Sequence, residues 1–217
     1  MDIIYEDKDI MVIEKPAGVP VQTKNITEKD TVSELKNLIS LRSKSADPYL
    51  GIIHRLDKPV RGILVFALNE KAAGDLGRQI VNGAFNKRYH AYVEGPVDTG
   101  GEWVELTDYL IKEKDTAKIA DKGSGKAKKA VLKYRTVKTY EDKGVTLLDI
   151  ELITGRFHQI RIQLSNLGHP VTGDVKYGAT VRSDMPKGTI GLCAYQLSFT
   201  HPVTGKEMTF TLSEDVS

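Results

Sequence analysis

Short apolar runs separated by polar turns recur along the chain, and their spacing distinguishes strands from helices. Ile10-Met11-Val12-Ile13 is a β-type run that stops at Lys15-Pro16-Ala17-Gly18, where proline and glycine impose a turn. An extended stretch, Val19 to Gln22, leads away from it. Leu35, Leu38 and Ile39 then fall at helical spacing, with Thr31 as cap and Glu34 as its capping-box partner, which predicts a helix over 32–42. Residues 43–49 predict a loop. Gly62 to Leu68 is apolar without alternation, the pattern of a buried strand, and Asn69 caps a predicted helix that runs to about Asn82 and ends at Gly83.

The second half is richer in strands. They are predicted over 88–94, 102–106, 130–139 and 145–152, the last alternating cleanly only from Leu148 onward. A helix is expected from His158 to Leu167, with Ile160, Leu164 and Leu167 inward and Gly168 at its end. Strands over 191–200 and 207–212 follow, joined by the turn-like His201-Pro202-Val203-Thr204-Gly205. Strands outnumber helices and the βαβ repeat of a parallel sheet is absent. The expected class is α+β, with a mixed, mostly antiparallel central sheet flanked by helices.

Composition narrows the function. A chain of 217 residues can bury roughly 70% of its unfolded surface, so a single domain over 1–217 is expected, with no oligomer partner needed for a core. The longest apolar stretch, Ile63 to Leu68, is far short of the ~20 residues that span a bilayer. The first residues carry acids where a secretory leader needs bases, and Cys193 is the single cysteine, so neither a disulfide within the chain nor a cysteine-based zinc cluster can form. A cytoplasmic location is expected. The net charge of +2 conceals a local field: residues 112–138 hold ten Lys/Arg against three acids, an excess of seven, which leaves −5 for the remainder. Such a block is either a solvated hairpin or an arm that tracks phosphates. Within it Gly123-Ser124-Gly125-Lys126 is not a P-loop, because Ala127 replaces the Ser/Thr and Ala120 stands in place of the first glycine.

Two segments concentrate polar groups beside apolar structure, Gly51 to Gly62 and Thr154 to Arg161. In the first, Asp57 lies just ahead of a buried strand. A carboxylate at the rim of a core is costly unless paired with a cation or used in a reaction. In the second, helical spacing sets His158 and Arg161 on one face, with Arg156 just before. On pattern alone these groups either satisfy one another and the backbone or form a site.

The segments HRLDKPVRGILVFALN (54–69), KRYHAYVEG (87–95) and TGRFHQIRIQLSNLGHPVTGDVKYG (154–178), in this order and spacing, resemble the three signature motifs of the RluA-type pseudouridine synthase family. The opening YEDKDIMVIEKPAGVPVQ is similar to the start of that family's catalytic domain, so the resemblance spans nearly the whole chain. It implies isomerisation of a uridine in RNA: the N1–C1′ bond breaks, the base turns over, and C5 joins C1′. No cofactor and no metal is implied, and an active-site cleft across the sheet is expected. The motifs assign the required carboxylate to Asp57, acting as nucleophile at C1′ or C6 or by removing a proton from C2′. They assign the neighbouring cation to Arg161, whose planar fork can bind a carboxylate through two hydrogen bonds. Tyr89 falls on the active-site tyrosine, with a ring to stack on uracil and a hydroxyl to assist removal of the C5 proton.

Base flipping is implied as well, because a stacked uridine is out of reach of a buried aspartate. Arg55 matches the residue that replaces the displaced base. His54 is expected to order its loop, Lys176 and Tyr177 to shape the cleft wall, and Arg61 to add a phosphate contact. Arg156 and His158, together with Lys126, Lys128 and Lys129 of the basic block, complete the expected RNA contacts. Gln163, Val60 and Arg61 depart from the family's usual residues and bear on substrate preference. The small basic RNA-binding domain that some members carry is not expected ahead of this catalytic domain. The expected partner is thus rRNA or tRNA, with no membrane, and the protein a monomer. Two other readings are an RNA-binding module without catalysis, in which Asp57 would be dispensable, and a glycosidase, which wants a second paired carboxylate. The only other acids inside the motifs are Glu94 and Asp174.

Overall fold

In the computed structural model, which describes residues 1–25 and 27–213, the chain runs β1 (Asp2–Glu6), β2 (Ile10–Lys15), α1 (Thr31–Ser43), β3 (Gly51–Ile52), β4 (Arg61–Ala67), α2 (Glu70–Val81), β5 (Asn86–Glu94), β6 (Val104–Glu113), β7 (Thr116–Ile119), β8 (Lys128–Tyr140), β9 (Val145–Leu152), α3 (Gln159–Asn166), β10 (Leu192–Thr200) and β11 (Glu207–Thr211). Two compact units form, Met1–Asn86 with Ala194–Ser217, and Lys87–Cys193. Among the described residues no helix is long and apolar enough to cross a membrane.

In the first unit β2 pairs antiparallel with β1 and β4, β3 adds to β4, and β11 pairs antiparallel with β10, which neighbours β4. Successive residues of a strand face opposite sides. One side of β2 and β4 (Ile10, Val12, Ile63, Val65) packs with Ala72 and Leu76 of α2 and with Phe85, Leu197 and Phe199. The intervening Met11, Ile13, Leu64 and Phe66 are fully buried too. Burial on both faces explains why Gly62 to Leu68 shows no alternation. At Gly62 (φ +146°) a side chain would meet Ala194, since a Cβ there lies 2.5 Å from its Cβ, so only glycine lets these strands approach so closely.

The predicted α2 ends hold: the Asn69 side chain accepts from Ala72 N–H, and Gly83 takes the left-handed conformation. At α1 the cap is one residue earlier than predicted. Asp30 accepts from Ser33 N–H at 2.7 Å, while the Thr31 hydroxyl donates to the Pro20 carbonyl. The Asp30 carboxylate accepts from Ser33 N–H with Oδ1 and from Thr23 N–H with Oδ2, which ties the extended stretch to the helix.

The second unit is a sheet ordered β5-β9-β8-β6-β7, with each of these neighbours paired antiparallel. The strand predicted over 102–106 runs instead from Val104 to Glu113, and β7 has no counterpart in the sequence pattern: charges fall on both faces of β6, Glu105 and Glu113 on one and Asp108 and Lys112 on the other, and β7 spans only Thr116–Ile119. Much of the basic 112–138 block is therefore hairpin and ladder. Leu167 is 36% exposed, correcting its predicted inward place; only Ile160 and Leu164 of the predicted trio are buried.

A knot in the first unit gathers Asp7, Asp9 and His201, whose ligand atoms lie within 4.8 Å of one another. Its hydrogen bonds account for the grouping without an ion. Asp7 Oδ1 accepts from the N–H groups of Asp9 and Ile10, and His201 Nδ1 accepts from Val203 and Thr204. The ring proton is then on Nε2, donated to Asp7 Oδ2 at 2.8 Å.

Candidate active site

Asp57 is half-buried on the loop before β4, where its carbonyl accepts from Val60 N–H. The side chain that organises this loop comes from the opening segment, where the sequence marks only a turn. Lys15, at the end of β2, is fully buried, and its Nζ donates to the carbonyls of Pro16 (2.7 Å), Val19 (2.8 Å) and Lys58 (3.3 Å). One ammonium thus clamps the turn after β2 to the residue beside Asp57. Burial pushes Lys15 down to about 8, and attraction to the Asp57 carboxylate partly offsets this. His54 accepts from Val65 N–H at 3.3 Å through Nε2 and sets its ring edge-on to Phe85, anchoring the other end of the loop to β4.

Arg161 and Tyr89 belong to the second unit. Tyr89 is buried on β5. Arg161, 5% exposed on α3, binds Asp174 through two parallel bonds, Nε to Oδ2 at 2.6 Å and Nη2 to Oδ1 at 2.7 Å. Its guanidinium also lies 5.0 Å from the centre of the Tyr177 ring. Asp174, only 2% exposed, reads in the sequence merely as a stray acid; in the fold it is the partner that fixes the orientation of Arg161.

Tyr177 connects this pair to the start of α3. Its hydroxyl accepts from Ala117 N–H at 2.8 Å, which leaves its own proton for His158 Nδ1 at 2.7 Å. His158 is therefore protonated on Nε2 alone, and burial, followed by the Arg161 and Lys176 cations, pushes it down to about 4. The residue sits at the N-cap, just outside the helix, in the left-handed conformation (φ +50°), so it does not share a helical face with Arg161 as the spacing predicts. Stacking on Phe157, with ring centres 3.8 Å apart, helps hold that conformation. Gln159 lies inside the third motif segment without a role assigned from sequence. Its Oε1 accepts from the Thr154 hydroxyl and Arg156 N–H, and its Nε2 donates to the Val131 carbonyl, so one side chain shapes the whole approach to α3.

Residues 9–166 match the RNA pseudouridylate synthase family. The chain belongs to it. It is 31% identical to ribosomal large subunit pseudouridine synthase D of Zymomonas mobilis, over 97% of this chain and 68% of that one. It is 29% identical to tRNA pseudouridine synthase C of Vibrio parahaemolyticus, over 99% and 91% respectively. The solved structure of human RNA pseudouridylate synthase domain containing 4 shares its fold, with a TM-score of 0.78 at 23% identity, over 98% of this chain and 88% of that one. The α+β class expected from sequence is that of the family, and the activity is that of an isomerase acting on uridines in RNA.

The remaining candidates divide by availability. Arg55 is exposed, and its Nη2 lies 3.4 Å from the Gln22 carbonyl. Lys126, Lys128 and Lys129 are exposed around the β7–β8 connection. Arg156, also exposed, donates from Nε to the Lys129 carbonyl at 3.0 Å. By contrast Arg61 is bound to Glu14 across the β2–β4 pair, and Lys176 to Asp115 at 2.8 Å. Gln163 is fully buried and donates to Asp108 at 2.8 Å, a contact between α3 and β6.

Proposed function

We propose that this chain, as one catalytic domain over 1–217, is a cytoplasmic and monomeric synthase acting on uridines in the structured RNA of ribosomes or on tRNA. Asp57 supplies the ionised carboxylate, as nucleophile at C1′ or C6 or as base at C2′. Tyr89 supplies the ring that takes the uracil, and Arg161 the guanidinium. The N1–C1′ bond breaks and C5–C1′ forms; C5 loses a proton and N1 gains one, so nothing is added or lost. Arg55 fills the place of the flipped base, and the exposed Arg156, Lys126, Lys128 and Lys129 contact the RNA, while His54, Arg61, His158 and Lys176, each engaged with a protein partner, support these contacts. No cofactor or metal takes part.

The observation that carries this reading is the ordered motif trio with Asp57, Tyr89 and Arg161 all retained, in a chain similar to both rRNA and tRNA synthases. Its test uses rRNA and tRNA from a strain lacking the gene, incubated with the purified protein and mapped by carbodiimide labelling and primer extension. A new pseudouridine is expected with the wild type and none with Asp57→Ala, whose RNA binding stays near that of the wild type. Conversion by Asp57→Ala removes the aspartate from the chemistry; absence of conversion in either RNA removes the substrate assignment.

A further inference from the structure

Outside the motif segments, the second unit exposes its single tryptophan in an unusual setting. Trp103 is 38% exposed, directly after a turn closed by the Glu102 N–H to Thr99 carbonyl bond and pinned to β8 by the Thr136 N–H to Thr99 hydroxyl bond. Two guanidinium groups face its ring, Arg135 with Cζ 4.7 Å and Arg88 with Cζ 5.4 Å from the ring centre. Both bind the same oxygen of Asp149, Arg135 through Nε and Nη2 at 3.2 Å each and Arg88 through Nη2 in a closer contact. Asp149 is 3% exposed, so the anchor is rigid, whereas the Arg135 side chain remains 40% exposed.

This arrangement differs from a phosphate-tracking surface. The neighbouring row across the strands, Arg88, Glu151, Lys133 and Glu105, alternates in sign, so it gives no broad positive field. What the patch offers is flat π surface: an indole and a guanidinium already ordered by a buried carboxylate, so that little side-chain entropy is lost when a third plane is added. A second ring with a cation above it, Tyr140 beneath Lys138 Nζ at 4.8 Å, lies farther along β8.

Resting on the RNA activity of the family, we infer that Trp103 with Arg135 is a stacking site for an unpaired RNA base outside the uridine being isomerised. It takes nucleobases of any identity, because every base presents a π face. It gives the enzyme a grip on single-stranded RNA next to its target.

The tryptophan is its own reporter. Titration of the full chain with a short oligoadenylate, which contains no uridine to isomerise, is expected to quench Trp103 emission saturably. Inorganic polyphosphate, which has no π face, is expected not to quench the emission. By anisotropy of a labelled oligoadenylate, Trp103→Ala is expected to weaken binding roughly five- to hundredfold, with Trp103→Phe and Arg135→Gln losing less. Thermal melts accompany each variant, and Trp103→Phe, which keeps a ring in place, carries the test if the alanine variant fails to fold. Unchanged affinity in Trp103→Phe, Trp103→Ala and Arg135→Gln overturns the site, and so does equal quenching by polyphosphate. Uridine conversion in rRNA and tRNA is scored separately. Conversion without quenching overturns the stacking site alone; quenching without conversion supports the site and counts against the activity.

Discussion

Lys15 in the first unit and Arg161 in the second are both cations sealed from solvent, and they are held in opposite ways. The lysine is solvated by three backbone carbonyls, the arginine by a carboxylate that matches its fork. Dipoles satisfy the donors of Lys15 without cancelling its charge, so burial still lowers its proton affinity to about 8. The ion pair of Arg161 cancels charge as well as satisfying donors. The first arrangement shapes a loop; the second immobilises a helix.

The largest effect should come from breaking the matched pair. Asp174→Ala leaves a guanidinium buried without that carboxylate and is expected to destabilise the protein by about 3–5 kcal/mol in urea titrations. Replacing both members, Asp174→Leu with Arg161→Met, should recover most of that loss while leaving the enzyme inactive. If Asp174→Ala costs no more than removal of Lys15, the two cations do not differ in the way described.

Lys15→Met comes next, at about 1–3 kcal/mol, because three carbonyls lose their donor. The sign of its pH dependence separates it from an ordinary ion pair. The folded-state pKa is about 8 against an ordinary value of 10.5, so between these the unfolded chain holds more protons. Wild-type stability should therefore gain a contribution as pH rises from 8 to 10.5, and Lys15→Met should lack it.

Sequence alone carries the elements whose signals are local. The N-cap at Asn69, the left-handed Gly83 and the apolar run of β4 each rest on a few adjacent residues. The motif segments around Asp57, Tyr89 and Arg161 are likewise visible, because their residue order is itself the signal. What stays hidden depends on contacts between residues distant in the chain. Lys15 reads as a turn residue until Lys58 is seen to share its ammonium, and Asp174, thirteen positions from Arg161, reads as one more acid. Trp103 gives no pattern at all, since Arg88 and Arg135, both held by Asp149, meet it only through the strand register.

A smaller effect probes how the second unit orients its cation. Tyr177→Phe removes the bonds to Ala117 and His158 but keeps the ring beneath Arg161, with an expected cost of about 1–2 kcal/mol. His158 titrates near 4 in the fold against 6.5 ordinarily, so the unfolded state takes up its proton first as pH falls. Wild-type stability should hold above pH 6.5 and decline toward pH 4. His158→Gln should flatten that decline, as urea midpoints across the interval would reveal.

The exposed lysines of the β7–β8 connection should matter least to the fold and most to salt dependence. Lys126→Gln, Lys128→Gln and Lys129→Gln alter side chains on which the sheet does not depend, so each should change stability by less than about 0.5 kcal/mol. Every phosphate that is no longer neutralised should lower the slope of log affinity against log salt by roughly 0.7–0.9. Filter binding of the triple variant to structured RNA over a range of salt concentrations reads that slope directly. An unchanged slope would make this segment a solvated hairpin and would move RNA contact to Arg55 and Arg156. A fall in slope worth two or more phosphates would identify a second mode of cation use: charges exposed for phosphate, unlike the buried pair that holds Arg161 in place.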